Sequence, residues 1–211
     1  MKTKFLIMAL MLFTAFAFSN TNDDMAKPTN KELIELQDKH GDLYDLPVGD
    51  KLAILRAPKM ADYKRAFTAM QKGGDIAFGE AMLEALMVAG DKEIKTIDDY
   101  FLPARKELMD FFNYPDATVE TKGAKTEITI GDYSCKVRKI TREDLKLAEK
   151  QNPSNKPFVT QEKLFDIICI EKDDAFNNRS NAEIRFPLFQ AIEQLQVVKV
   201  ATLKKRSPMP S

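Results

Sequence analysis

One set of residues occurs twice in this chain at a fixed distance, and that limits what it can fold into. Gly49-Asp50 is followed by Arg56, Asp62, Lys64 and Ala66, and Gly131-Asp132 by Arg138, Asp144, Lys146 and Ala148. Each residue of the first set lies 82 positions before its partner (131 − 49, 138 − 56 and 144 − 62 all equal 82). A spacing kept over so many positions implies one supersecondary plan used twice. The expected fold is α+β and mostly helical, a tandem repeat of two units, each a β-hairpin followed by three helical segments.

The hairpins follow from local chemistry. Short apolar runs flank each Gly-Asp: Leu43 to Val48 and Lys51 to Arg56, then Thr126 to Ile130 and Tyr133 to Arg138. Glycine first in a two-residue loop signals a tight type II′ turn. In the second copy Ile128 and Ile130 point to one face, Glu127 and Thr129 to the other.

Helices are expected around them. Thr29-x-x-Glu32 reads as a capping box for a leading helix over 30–39, with Gly41 as its stop and His40 as a cation at its C-terminal end. Asp62 and Asp144 occupy the first turn of the helix after each hairpin, where a carboxylate suits the helix dipole. Gly73-Gly74 and Asn152-Pro153-Ser154 end these helices, and second helices run Ile76 to Ala89 and Gln161 to Ile170. Thr96-x-x-Asp99 and Ser180-x-x-Glu183 are read as further capping boxes, now 84 apart, with Pro103 and Pro187 dividing a short helix from a longer one. Repeat unit 1 is therefore placed at 25–112, a linker without periodicity at 113–124, unit 2 at 125–202 and a disordered, solvated tail at 203–211.

The segment 1–24 is separate. Lys2 and Lys4 precede an apolar run from Phe5 to Phe18, and Ala15-Phe16-Ala17 supplies small residues at its exit, the pattern of a secretory signal peptide. The run is too short for a stable membrane anchor. If Met1 is the start, export to a periplasm or medium is expected. If Met25 is the start, 1–24 is a mis-called extension and the protein works in a cytoplasm.

Few chemistries remain open. Lys plus Arg and Asp plus Glu both number 32, so no global field draws in nucleic acid. The one histidine, and the absence of any nucleophile elbow, phosphate loop or dinucleotide fingerprint, give no catalytic residues and no cofactor. Asp98-Asp99 is used at a helix start, and the stretch from Asp173-Asp174 to Asn178 lacks the ligand spacing of a calcium loop, so no metal is expected. Cys135 and Cys169 read as small buried hydrophobes, with a disulfide open only to an exported protein. Arg56 and Arg138 are expected to brace strand to helix by pairing with Asp62 and Asp144. The stripe Met82, Leu83, Leu86 and Met87 is either core or an adaptable partner-binding face.

The stretch from Leu55 to Tyr63, and its echo from Val137 to Leu145, put an Arg at a strand end, then a Pro or Thr turn, then an Asp and a hydrophobe. This resembles some phage tail assembly chaperones, over about twelve residues in each copy. The resemblance implies a non-enzymatic factor that shields hydrophobic segments of a tape-measure protein while a tail tube grows. The duplicated unit is longer than is usual there, and those proteins carry no export signal. The competing expectation is an exported two-repeat binding module of a bacterial envelope. Either way the partner is another protein.

Overall fold

The computed structural model describes residues 28–196, so the expected signal segment 1–24 and the tail 203–211 lie outside the described residues. Helix α1 (Asn30–His40) opens on the expected box: the Thr29 amide donates to the Glu32 carboxylate at 2.8 Å, and the Glu32 amide to Thr29 Oγ1 at 3.4 Å. Strands β1 (Leu43–Val48) and β2 (Lys51–Arg56) pair antiparallel, with Val48 opposite Lys51. Gly49 has φ +62 while Asp50 is not among the positive-φ residues, the signature of a type II′ turn. Helix α2 (Met60–Leu86) is bent at Gly74 (φ 66, ψ −159). Strand β3 (Met87–Gly90) returns to β2, followed by α3 (Glu93–Thr96), α4 (Asp98–Glu107) and a 3₁₀ turn over Leu108–Phe112.

The C-terminal half opens with β4 (Thr118–Lys122), β5 (Lys125–Ile130) and β6 (Tyr133–Arg138). Helices α5 (Arg142–Lys150) and α6 (Val159–Ile168) lead to β7 (Cys169–Lys172), a 3₁₀ turn (Asp174–Asn177) and α7 (Ala182–Gln196). The described residues are thus mixed α+β, with two small antiparallel sheets among them, ordered β1-β2-β3 and β4-β5-β6-β7.

Several expectations need correction. The helices expected to reach Ala89 and Ile170 stop at Leu86 and Ile168, and the next four residues of each join a sheet as β3 and β7. Their apolar character continues through the change, but the β2 and β6 edges offer backbone partners that further helix would leave unpaired. The linker 113–124 contains β4, whose Val119 faces Ile128 across the sheet. Neither later capping box forms. Thr96 Oγ1 turns back to the Lys92 carbonyl, and Asn181 Oδ1, not Ser180, accepts from the Glu183 amide at 3.0 Å. Pro103 and Pro187 lie inside α4 and α7 rather than between helices. Each is the sixth residue of its helix, so only one backbone bond near the first turn is lost.

The start of α2 packs on the other half of the chain. Tyr63 lies edge-on to Phe186 with centroids 4.6 Å apart, Phe67 edge-on to Phe158 at 5.1 Å, and Lys64 Nζ bonds Glu162 at 2.9 Å. The Met60 amide donates to the Ser180 carbonyl at 3.1 Å. Aromatic pairs of this kind contribute about 0.5–1.5 kcal/mol each beyond their buried area. Tyr63 is fully buried, and burial together with the Tyr114 hydroxyl raises its phenol far above the ordinary range, so it stays neutral.

Candidate functional site

The paired Arg and Asp residues are brought together twice. Arg56 grips Asp62 through Nη1 and Nη2 at 2.8 and 2.9 Å, and Arg138 grips Asp144 at 2.7 and 2.8 Å. Each Asp also accepts the amide three residues before it, from Lys59 and Thr141, at 2.9 Å. For Asp62, burial pushes the carboxyl up, but Arg56 and the Lys59 amide outweigh it and the net shift is downward. For Asp144 the Arg138 guanidinium leads a strong downward shift, with Thr141 adding to it. Asp62 accepts three such bonds and Asp144, with the Thr141 hydroxyl, four, so these carboxylates tie strand to helix and are poor proton acceptors.

Asp91 and Asp173 make a second repeated contact, a role the sequence analysis does not assign to either. Asp91 Oδ2 accepts the Leu52 amide at 2.8 Å and Asp173 Oδ2 the Ser134 amide at 2.7 Å. Both donors and both acceptors are 82 apart, the same offset as the Gly-Asp, Arg and first-turn Asp pairs, and that spacing is their signal in the sequence. Each locks the start of the central strand to the end of the returning one. A register shift follows in both sheets, between Ile54 and Leu55 and between Lys136 and Val137. Asp174 accepts from Asn177 at 3.2 Å, and among the described residues no group of three His, Cys, Asp or Glu side chains could hold a metal ion.

The remaining candidates fall in less reactive places. His40 is half-buried, and its pKa is lowered by burial and by Lys39, Arg56 and Lys59, which disfavours the capping cation expected from sequence. Cys135 and Cys169 are both free, and burial pushes the Cys135 thiol up to about 12. Met82, Leu83 and Leu86 are at most 1% exposed, and Met87 is half-buried in β3 opposite Leu55. Met82, Leu83 and Leu86 are therefore core rather than a partner face, which corrects the expected binding surface at those three, while Met87 is held in the sheet.

Apolar surface is open elsewhere. A groove of about 350 Å³ runs between the bend of α2 and the α4 side, floored by Phe67 and Phe78 and walled by Met70, Leu102 and Met109. Leu102 is 47% exposed and Met109 55%. Asp75, Arg105 and Lys106 form its rim. A Cβ at Gly79 would collide with the Arg105 side chain, so this glycine lets the arginine stem lie flat along the wall. Arg105 Nε is buried and has no hydrogen-bond partner among the described residues.

No family model, curated protein or solved structure matches the chain. What the groove can do therefore has to come from its lining. Thioether, aliphatic and aromatic surface under a mixed-charge rim suits the seating of an apolar side chain, and the methionines can adapt to its shape. Among the described residues no helix is long and apolar enough to cross a membrane.

Proposed function

We propose that this chain is a non-enzymatic binding factor, built from two copies of one folding unit, that shields an apolar segment of another protein in the manner of a phage tail assembly chaperone. The observation that carries this reading is the open groove beside Leu102 and Met109, two large apolar side chains about half exposed to solvent. Duplication is supported by the coincident offsets: hairpin, Arg–Asp grip, register shift, returning strand and Asp lock all recur 82 residues on. The client in this reading is a tape-measure-like protein with long amphipathic helices, met in a host cytoplasm.

The apolar run Phe5 to Phe18 behind Lys2 and Lys4 favours a second reading, an exported envelope binding module using the same groove. One experiment separates them. Affinity capture from an infected lysate, with Leu102→Glu as control, should recover a large helical tail protein with the native chain and lose it with the variant. Recovery of the protein from periplasm or medium with its N-terminus near Asn20 gives the second reading instead. Equal capture by both forms removes the groove from either.

A further inference from the structure

We propose that a second copy of this chain docks head to tail on the groove face, presenting its α5. The inference rests on the two-copy part of the reading above and not on the identity of the client.

Within one chain, the start of α2 lies on the α6–α7 face through three contacts: Tyr63 on Phe186, Phe67 on Phe158, and Lys64 on Glu162. Moving the first partner of each contact forward by 82 residues gives Leu145, Glu149 and Lys146, all on α5. Moving the second partner back, by 84 for Phe186 and by 82 for the others, gives Leu102, Ile76 and Glu80. These two sets do not meet inside the chain. Leu102, Ile76, Glu80, Lys146 and Glu149 are exposed and Leu145 is half-buried. The internal contact is therefore heterologous: one half offers a face that the other accepts, and one donor face and one acceptor face are left open.

A contact of this kind joins copies by the same operation, closing into a ring or growing as a filament. The chemistry of the open faces matches at two of the three contacts. Leu145 meets Leu102, and Lys146 meets Glu80 with the polarity of the internal Lys64–Glu162 pair, which is 2.9 Å long. Glu149 stands where Phe67 does and Ile76 where Phe158 does, so the ring contact inside the chain has no apolar counterpart between chains, and the intermolecular version is weaker and reversible. It also covers Leu102, which keeps the groove closed until a client competes for it.

Sedimentation of the full chain over a range of concentrations tests this. Native protein should associate reversibly without limit at a dimer, or to a closed ring. Glu80→Lys and Lys146→Glu should each weaken association by about tenfold, since each sets like charges face to face. The double exchange should restore it to within about threefold, because the pair is re-formed with its polarity reversed. Both positions are exposed, and circular dichroism confirms that each variant is folded. A monomer at every concentration overturns the proposal. So does association that ignores the exchanges, as contact through Phe5 to Phe18 would. Client capture that survives in a monomeric Glu80→Lys chain leaves the binding function intact while self-association through α5 is tested on its own.

Discussion

Asp62→Ala is the sharpest perturbation of this fold. The side chain accepts three hydrogen bonds, from both terminal nitrogens of Arg56 and from the Lys59 amide, all between 2.8 and 2.9 Å. Removing it takes away the first-turn carboxylate of α2, a loss of about 1 kcal/mol. It also leaves Arg56, whose side chain is 16% exposed, with only the Ala57 carbonyl at 3.0 Å and no counter-charge, which costs about 1.5–3 kcal/mol. The expected total is about 3 kcal/mol, and for a folded region of about 170 residues this lowers Tm by roughly 6–12 °C. Urea unfolding at pH 7, followed by circular dichroism, should show a lower midpoint with an unchanged slope. A cycle with Arg56→Met should return a coupling of at least about 1 kcal/mol. Asp144→Ala should cost less, because the Arg138 side chain is 41% exposed and can rehydrate. A loss below about 0.5 kcal/mol for Asp62→Ala, or no coupling, would mean that the pair behaves as an ordinary surface ion pair. Reversed order between the two sites would refute the burial argument.

Three further outcomes can be checked separately. The folded-state pKa values of Asp62 and Asp144 lie below the unfolded value of about 3.9, so their stabilisation is complete above that pH and fades as pH falls through the depressed folded values; the Asp62→Asn/Asp144→Asn double variant should show a flatter loss of stability below pH ~4. In the native protein at about pH 8 an alkylating reagent should modify half-buried Cys169 first and reach Cys135 only on unfolding, and equal rates would contradict the burial of Cys135. Gly90→Ala should destabilise by more than about 2 kcal/mol, since Gly90 has φ +105 and an added Cβ would overlap the Leu52 carbonyl oxygen, whereas Lys172→Ala at the corresponding place should cost no more than about 1 kcal/mol, and equal melting temperatures would refute this.

What could be read from sequence was what is settled within a few residues. Gly49 and Gly131 announce their turns because a positive φ there is a local demand. Thr29-x-x-Glu32 and the first-turn Asp62 and Asp144 act within one helical turn. Strands β3 and β7 were hidden because Met87-Val88-Ala89 and Cys169-Ile170 continue an apolar helix without a glycine or proline break, and only pairing with a strand over thirty residues earlier fixes them. Strand β4 was lost between Pro115 and Gly123, although Thr118-Val119-Glu120-Thr121 alternates as a strand should. The Met82 stripe looked the same as core or as surface until its hairpin was in place. The groove had no sequence signal, since Met70, Leu102 and Met109 come from separate elements and share a wall only after folding.

The packing of the α2 start on the α6–α7 face has a consequence for synthesis. Tyr63 leaves the ribosome long before Phe186, the ring it packs against, has been made. That ring lies about 120 residues downstream, so at 5–20 residues per second the aromatic ridge of α2 waits roughly 6 to 25 seconds for its cover. During that interval the nascent N-terminal half carries two open sticky surfaces, the ridge and the groove. Neighbouring ribosomes on one message hold such halves close together, and the ridge of one chain can find the α6–α7 face of a chain further along. Expression at lower temperature from a sparsely loaded message should therefore raise the yield of correctly folded protein.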